Sequence, residues 1–210
     1  MLIYFLTGVA ASSLHVISGP DHLAAVTPLA IEGKSRSWFI GFSWGLGHTI
    51  GVFIIGLLSI LFRNIIPVDL ISNYSEQIVG ILLIVIGVWI FYRIFVSGKH
   101  HHHATHSHKT GNDAITALGI GIVHGLAGVS HLIGILPSLA LPTKLDAVSY
   151  ILGFGAGTIF TMALYATIMG AISSHVASSN RNKLLLAIRI AGSSAAVLVG
   201  IFWIYQSGAH

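Results

Sequence analysis

Two stretches of the sequence place histidines at the same spacing within apolar surroundings. In each stretch two histidines lie seven residues apart, a glycine follows the first histidine by four residues, and a proline follows the second by six; the stretches are His15-VISGPD-His22-LAAVTP and His124-GLAGVS-His131-LIGILP. Neutral imidazole is a frequent ligand of transition metals. The duplicated pair therefore predicts that the two halves of the chain together hold something that imidazole binds.

Asp21 is the one acidic residue well inside an apolar run. A charge within a bilayer is costly unless it is paired, so an intramembrane carboxylate is by default a candidate for a functional role. We therefore expect Asp21 to act at a binding site or to support one. The run Ser18-Gly19-Pro20-Asp21 is also typical of a helix start, and the alternative is that Asp21 only caps a half-helix.

His15 and His22 share one face of a helix, but a straight helix separates them by about 10 Å along its axis. One ion can be bound by both only if the chain kinks between them. Gly19-Pro20 predicts such a kink, because proline removes a backbone donor and clashes with the preceding turn.

A further candidate is His48, in the sequence Gly45-LGHT. Intramembrane histidines also form interhelical hydrogen bonds, which leaves a structural role open for His124 and His131. The set of predicted metal ligands is His15, Asp21, His22, His48, His124 and His131. Imidazole with one carboxylate and no thiolate suits nickel, cobalt, zinc or copper(II), and it does not suit magnesium or calcium.

The composition predicts a membrane protein. The chain has 210 residues, of which 54% are hydrophobic and only 8% are charged, whereas a soluble domain carries about 25% charged residues. Apolar runs near the length of a membrane span recur along the chain, which predicts an all-α polytopic membrane protein. The six predicted segments are Leu2–Ile31, Trp38–Phe62, Ile78–Phe95, Ala114–Leu141, Ala147–Ser173 and Leu184–Tyr205.

The repeat extends beyond the histidines and indicates two copies of a three-helix unit. Ser37-WFIGF matches Ser149-YILGF, Gly80 aligns with Gly192, and Trp89-IFY resembles Phe202-WIY. An odd number of spans per copy inverts the second copy in the membrane. We expect a first repeat at 1–97, a His-rich loop at 98–112 and a second, inverted repeat at 113–210.

The first and fourth segments are too long for a simple span of about 20 residues, and both are predicted to be broken helices. Gly19-Pro20 interrupts the first, and Gly125, Gly128 and Pro137 interrupt the fourth. Broken helices at matching places in two inverted halves point to a transport site.

Charged loops set the predicted orientation in the cell membrane. Lysine and arginine concentrate in the first, third and fifth connections between segments, which places those loops in the cytoplasm and both termini outside. The formal net charge of +4 is therefore attributed to topology, and no nucleic-acid partner is expected. The expected partners are the lipid bilayer and a divalent metal ion.

The third loop carries a short histidine-rich tract, made of His100–His103, His106 and His108. Such tracts bind divalent metals, so the loop is a candidate sensor, buffer or delivery arm that meets a cytoplasmic metal acceptor. The alternative is an inserted purification tag, although the irregular continuation ATHSH favours a native segment.

These motifs resemble those of the nickel/cobalt transporter superfamily, in particular its compact branch of urease-accessory-type nickel permeases. The superfamily carries a His, four residues, Asp-His signature and a Gly-His-Ser/Thr signature. By resemblance His15, Asp21 and His22 match the first and Gly47-His48-Thr49 matches the second, although five residues separate His15 from Asp21 here. The acid-containing Gly-Phe-Asp-Thr type motif of the permeases has no carboxylate counterpart in the run 153–158. The resemblance implies movement of nickel, in some members cobalt, across the cytoplasmic membrane.

The predicted function is a secondary transporter of nickel(II), with cobalt(II) or another divalent transition metal as alternatives. The inside-negative potential favours uptake, and efflux through the same site is the alternative. No enzyme activity and no resident cofactor are expected, since the metal is the substrate. A membrane haem or electron-transfer protein with axial histidines is the second class. A di-iron enzyme ranks last, because it needs more carboxylates than Asp21 alone.

Overall fold

The computed structural model describes residues 1–33, 36–61, 68–95, 110–126, 134, 136–179 and 181–208. The predicted all-α class is confirmed across these residues. The α-helices are α1 (Leu2–Ser18), α2 (Pro20–Gly33), α3 (Ser37–Leu61), α4 (Val68–Phe95), α5 (Thr110–Leu126), α6 (Lys144–Ser178) and α7 (Asn182–Gly208), and a short 3-10 helix spans Leu136–Ala140.

Within the described ranges, four helices are long and apolar enough to cross a membrane: α3, α4, α6 and α7. The bent pair α1 and α2 raises the number to five if it counts as one span. α5 is apolar but shorter, and the rest of the predicted segment Ala114–Leu141 lies partly outside the described residues. The chain is a multi-pass helical membrane protein.

The predicted break in the first segment is confirmed at Gly19. This residue leaves the helical conformation with φ −86° and ψ 100°, and its N–H donates to the carbonyl of His15 to close α1. Pro20 then begins α2, where its missing N–H costs nothing. The two helices meet at 76°. The chain therefore changes direction between His15 and His22.

Close backbone contacts at glycines fix how the helices pair. In α1 and α6 the contacts advance in the same direction along both helices, and the same is true of α3 and α5, so each pair is parallel. Without a side chain, glycine lets two backbones approach closely in a membrane. The contacts join Gly153 with Phe5 and Gly157 with Val9, and they join Gly121 with Trp44 and Gly125 with His48.

α4 and α7 form a separate, antiparallel pair. Gly80 lies against the backbone of Gly200, and Gly87 lies against the backbone of Ser193. The last residues of α2 join this pair to the rest of the bundle. The Glu32 carboxylate lies 3.2 Å from Nη2 of Arg93 on α4 and 3.7 Å from Nε of Arg189 on α7.

The bent pair α1–α2 follows α6 along its length. The contacts advance together on both sides, beginning with the amino terminus of the chain and ending near the last residue of α2. They are Met1 N to Asp146 Oδ1 (3.3 Å), Thr161 Oγ1 to Ser13 Oγ (2.9 Å), Tyr165 Oη to Thr27 Oγ1 (2.5 Å) and Ser173 Oγ to the Ile31 carbonyl (2.8 Å). The bend at Gly19 falls in the middle of this series.

Candidate metal centre

Four histidines and one aspartate meet at the bend between α1 and α2. His15 ends α1, Asp21 and His22 begin α2, and His48 and His124 come from α3 and α5. The side chains of Asp21, His22, His48 and His124 are buried, with at most 4% of each residue exposed, and His15 is partly buried. The bundle thus encloses a polar cluster within an apolar core.

His22 lies at the centre of the cluster. The centroid of its ring is 4.9 Å from that of His15, 5.0 Å from that of His48 and 4.8 Å from that of His124. On a straight helix, His15 and His22 would be about 10 Å apart. The bend at Gly19 is therefore what brings the first histidine pair together.

Asp21 joins two imidazoles of the cluster. Its Oδ1 lies 3.1 Å from Nδ1 of His22, and its Oδ2 lies 3.0 Å from Nε2 of His124. An ionised carboxylate only accepts hydrogen bonds, so both imidazoles donate an N–H to it. Two such bonds offset the cost of placing a charge in apolar surroundings. Asp21 also lies in the first turn of α2, where it faces the positive end of the helix dipole.

The bond to Asp21 determines which nitrogen of His22 can bind a metal. With Nδ1–H donating to the carboxylate, the lone pair is on Nε2. A hydrogen-bonded carboxylate of this kind orients a histidine ligand and raises its basicity. In this tautomer Nε2 is the nitrogen through which His22 could coordinate a metal.

Two groups of three side chains in the described part of the chain could hold a metal ion. The first comprises His15, His22 and His48, and the second comprises Asp21, His22 and His124. In each group the ligand atoms lie within 4.8 Å of one another. Metal–nitrogen distances are about 2.0–2.1 Å, so modest side-chain movement would close either group around an ion. His22 belongs to both groups.

Trp44 is a site residue that the sequence reasoning did not single out. Its side chain is fully buried and stacks on His48, with centroids 5.1 Å apart and planes 6° from parallel. It also contacts His22 and His124, at 5.6 and 5.3 Å between centroids. Residues four apart on a helix share a face, so the spacing from Trp44 to His48 was the available signal.

Gly19 contributes to the site by having no side chain. A Cβ at this position would overlap Nδ1 of His22 and crowd the Asp21 carboxylate. Gly19 was predicted to allow the kink, but its contact with the His22 ring could not be inferred from the sequence.

One predicted ligand lies outside the described residues. His131, the second member of the second histidine pair, is the predicted ligand that lies there. The histidine-rich tract, comprising His100–His103, His106 and His108, also lies outside the described residues. The structure thus brings together five of the six predicted ligands.

Comparison with known proteins identifies relatives along most of the chain. The urease accessory protein UreH of Bacillus sp. (strain TB-90) is 32% identical over 160 residues, which cover 72% of this chain and 69% of UreH. The chain belongs to the UreH family. This agrees with the urease-accessory branch that the histidine motifs indicated. No family model matches the chain, and no solved structure matches it.

Other relatives of this UreH-family chain come from plants and archaea. The chloroplast protein FOR GROWTH AND FERTILITY 2 of Arabidopsis thaliana is 35% identical over 176 residues, which cover 80% of this chain and 47% of the plant protein. The chain thus spans about half the length of that relative. The candidate nickel/cobalt efflux system MJ1092 of Methanocaldococcus jannaschii is 24% identical over 208 residues, which cover 97% of this chain and 92% of MJ1092.

Proposed function

We propose that the protein is a secondary transporter that moves nickel(II), or alternatively cobalt(II) or another divalent transition metal, across the membrane. The observation that carries the proposal is the cluster of three imidazoles, His15, His22 and His48, at the break of a helix within a multi-pass bundle. The name of MJ1092, a candidate nickel/cobalt efflux system that aligns along almost its whole length, supports this class of substrate.

The ligand set favours borderline divalent ions. Imidazole suits nickel, cobalt, zinc and copper, whereas magnesium and calcium prefer sites made of oxygen ligands. The proposed first ligands are the three imidazoles, and Asp21 holds His22 in the tautomer that can bind. The carboxylate also supplies the negative charge that draws a divalent cation into a site of low dielectric. The metal is cargo, and we assign the protein no enzyme activity.

The helix pairing supports an architecture of two inverted three-helix repeats, 1–97 and 113–210, joined by the loop 98–112. In the two repeats α1 corresponds to α5, and α3 corresponds to α6. The parallel pair α1–α6 therefore corresponds to the parallel pair α5–α3. At a lag of 113 residues, one more than the lag that aligns Gly80 with Gly192, the contact between Gly80 and Gly200 corresponds to that between Ser193 and Gly87. We infer six spans, with α5 and the segment after it as the second broken span.

The contacts with α6 support a crossing by the bent pair α1–α2. A re-entrant pair would turn back toward its starting side, whereas these contacts advance along α6 from Asp146 to Ser173. The break, and with it the cluster of histidines, then lies near the middle of the membrane. Substrate sites at the midplane between inverted repeats are typical of secondary transporters, where rocking of the halves exposes the site to each side in turn.

The proposed direction is uptake into the cytoplasm. The membrane potential contributes about 2.3 kcal/mol per charge per 100 mV to inward movement of a cation. Efflux is the alternative, and the name of MJ1092 favours it. With both termini outside, the tract at 98–112 faces the cytoplasm, where it would pass the ion to an acceptor.

A metal transport assay in proteoliposomes tests the proposed function. The full chain is reconstituted, and the movement of nickel, cobalt and zinc is followed in both directions for the wild type and for His22→Ala. His175→Ala is the matched control, because His175 is an exposed histidine near the end of α6. We expect nickel movement in the wild type and the control and its loss in His22→Ala. Equal traces for His22→Ala and the wild type would refute the proposed site.

A further inference from the structure

The two ligand groups at the bend share one imidazole, which is the starting point of a further inference. We propose that the metal occupies two successive positions, one in each group, and that His22 is a ligand in both. This inference rests on the proposed transport function and adds a path through the site. Position one comprises His15, His22 and His48, and position two comprises Asp21, His22 and His124.

The two positions belong to different helices. Position one takes a ligand from α1 and another from α3, whereas position two takes a ligand from α5; α2 contributes to both. A movement of α5 relative to α1, α2 and α3 would therefore change position two and leave position one intact. His22 is a ligand in both positions but through one nitrogen at a time, so the two positions are filled in turn and not together.

The distances at Asp21 already match those between neighbouring ligands of a metal. Oδ1 lies 3.1 Å from Nδ1 of His22, and Oδ2 lies 3.0 Å from Nε2 of His124. With metal–nitrogen and metal–oxygen distances near 2.0–2.2 Å, neighbouring ligand atoms lie about 2.9–3.4 Å apart. An ion can thus enter position two with small side-chain shifts, replacing the hydrogen bonds that Asp21 now accepts.

His22 presents a different nitrogen in each position. In position one Nε2 binds the ion while Nδ1–H donates to Asp21. In position two Nδ1 binds the ion and the ring proton is on Nε2. The exchange thus needs a change of tautomer at His22 and also at His124, whose Nε2–H donates to Asp21 before the ion enters position two, with no net gain or loss of protons at either ring.

Two positions of different composition suit transport better than one tight position. Passage requires binding that is strong enough for entry and divided among sites so that the ion can leave. Three imidazoles select a transition metal at position one. Position two adds a carboxylate. Its negative charge stabilises the cation after the ion has left the three neutral imidazoles of position one.

The competing interpretation gives Asp21 and His124 a supporting role at a single site. A carboxylate and its second partner would then only orient His22. The two interpretations differ over what His124 must offer. A supporting residue needs only the donor to Asp21, whereas a ligand needs the lone pair of an imidazole.

The decisive variant is His124→Gln. The amide nitrogen of glutamine can take the place of Nε2 and keep the hydrogen bond to Asp21, but it removes the imidazole ligand. Purified full-length protein is loaded with cobalt(II) alone, and its visible spectrum, its X-ray absorption and its transport in proteoliposomes are measured. We expect His124→Gln to bind cobalt in the three-imidazole set, with transport reduced by at least about tenfold, in the range seen when metal-site partners are lost.

A second variant isolates position two. In the double variant His15→Ala, His48→Ala, cobalt should still bind, with a ligand set of mixed nitrogen and oxygen, and without transport. Transport by His124→Gln within twofold of the wild type, or loss of all cobalt binding by the double variant, would overturn the inference.

The proposed transport function can be refuted independently of the two metal positions. A wild type that shows both ligand sets but moves no metal in liposomes would contradict the transport function alone. A wild type that binds no cobalt would overturn both. His175→Ala again controls for the loss of a histidine outside the site.

Discussion

The two halves of the chain carry the same histidine spacing but contribute unequally to the site. The first copy supplies His15, Asp21 and His22 around a sharp bend, whereas among the described residues the second copy supplies His124 alone. At the positions of Pro20 and Asp21 the second copy has Val129 and Ser130. The repeat therefore preserves a spacing, while one half provides the proline and the carboxylate.

The second predicted segment of each half, α3 in the first half and α6 in the second, also contributes unequally to the site. At a lag of 112 residues, Trp44 aligns with Ala156 and His48 aligns with Phe160. Trp44 and His48 are fully buried in the site, whereas Ala156 is exposed and Phe160 is 65% exposed on the outer surface of the bundle. The two copies thus share closely packed helices, while the candidate ligands on this helix are found in the first copy.

The largest expected effect on nickel binding comes from adding one methyl group at Gly19, in the first half of the chain. In Gly19→Ala the new Cβ overlaps Nδ1 of His22, so the ring must leave Asp21. We expect nickel binding to weaken by about 100-fold, the upper end of the range for loss of the group that orients a ligand. Isothermal titration of the purified protein measures the change.

A glycine in the second half provides the control for this substitution. A Cβ on Gly119, in α5, would meet nothing within 4 Å in the described structure. We expect Gly119→Ala to bind nickel as the wild type does, and to gain slightly in stability because alanine is the better helix former. Equal affinities for the two alanine variants would contradict the role given to Gly19.

A smaller effect is expected at Trp44, whose aligned residue in the second half is Ala156. Trp44→Phe keeps an aromatic ring but removes part of the surface that stacks on His48. We expect the nickel dissociation constant to rise by about tenfold, equivalent to about 1.4 kcal/mol. Cobalt spectra distinguish a change of ligand geometry from a general loss of packing. Ala156→Ser, on the exposed face of α6, should leave both affinity and spectrum unchanged.

The smallest effect concerns the contact that holds α2 against α6. Tyr165→Phe removes the hydrogen bond between Tyr165 Oη and Thr27 Oγ1. One such bond contributes about 1 kcal/mol, so we expect a modest decrease in the free energy of unfolding and little change in nickel affinity. Thermal unfolding in detergent measures the first, and titration measures the second. A loss of affinity as large as that of Trp44→Phe would show that α2 is positioned mainly by this bond.

Local signals in the sequence predicted the part of the site that one segment builds. Gly19-Pro20 predicts the bend, and the bend brings His15 and His22 together, because both effects depend on backbone geometry within a few residues. The partnership of Asp21 with His124 joins residues 103 positions apart and follows from helix packing that no local pattern encodes. Trp44 was missed because an aromatic residue in an apolar helix resembles ordinary core.

The ends of the helices are also only partly predicted by the sequence. α4 begins at Val68, ten residues before the predicted start at Ile78. The polar residues Ser72, Asn73, Ser75 and Glu76 are typical of a loop, yet the helix continues through them. Composition marks the membrane-crossing part of a helix well, but it does not mark where a helix ends beyond the apolar region.

The ion pairs of Glu32 couple the angle of the bend at Gly19 to the positions of α4 and α7. Glu32 lies eleven residues beyond Asp21 on α2, about 16 Å along the helix axis. A tilt of α2 by about 10° at Gly19 would displace Glu32 by about 3 Å at that rise per residue. Such a displacement breaks the contacts with Arg93 and Arg189, or else it carries α4 and α7 along. A small change of angle at the histidines would thereby reach α4 and α7 at the far end of α2.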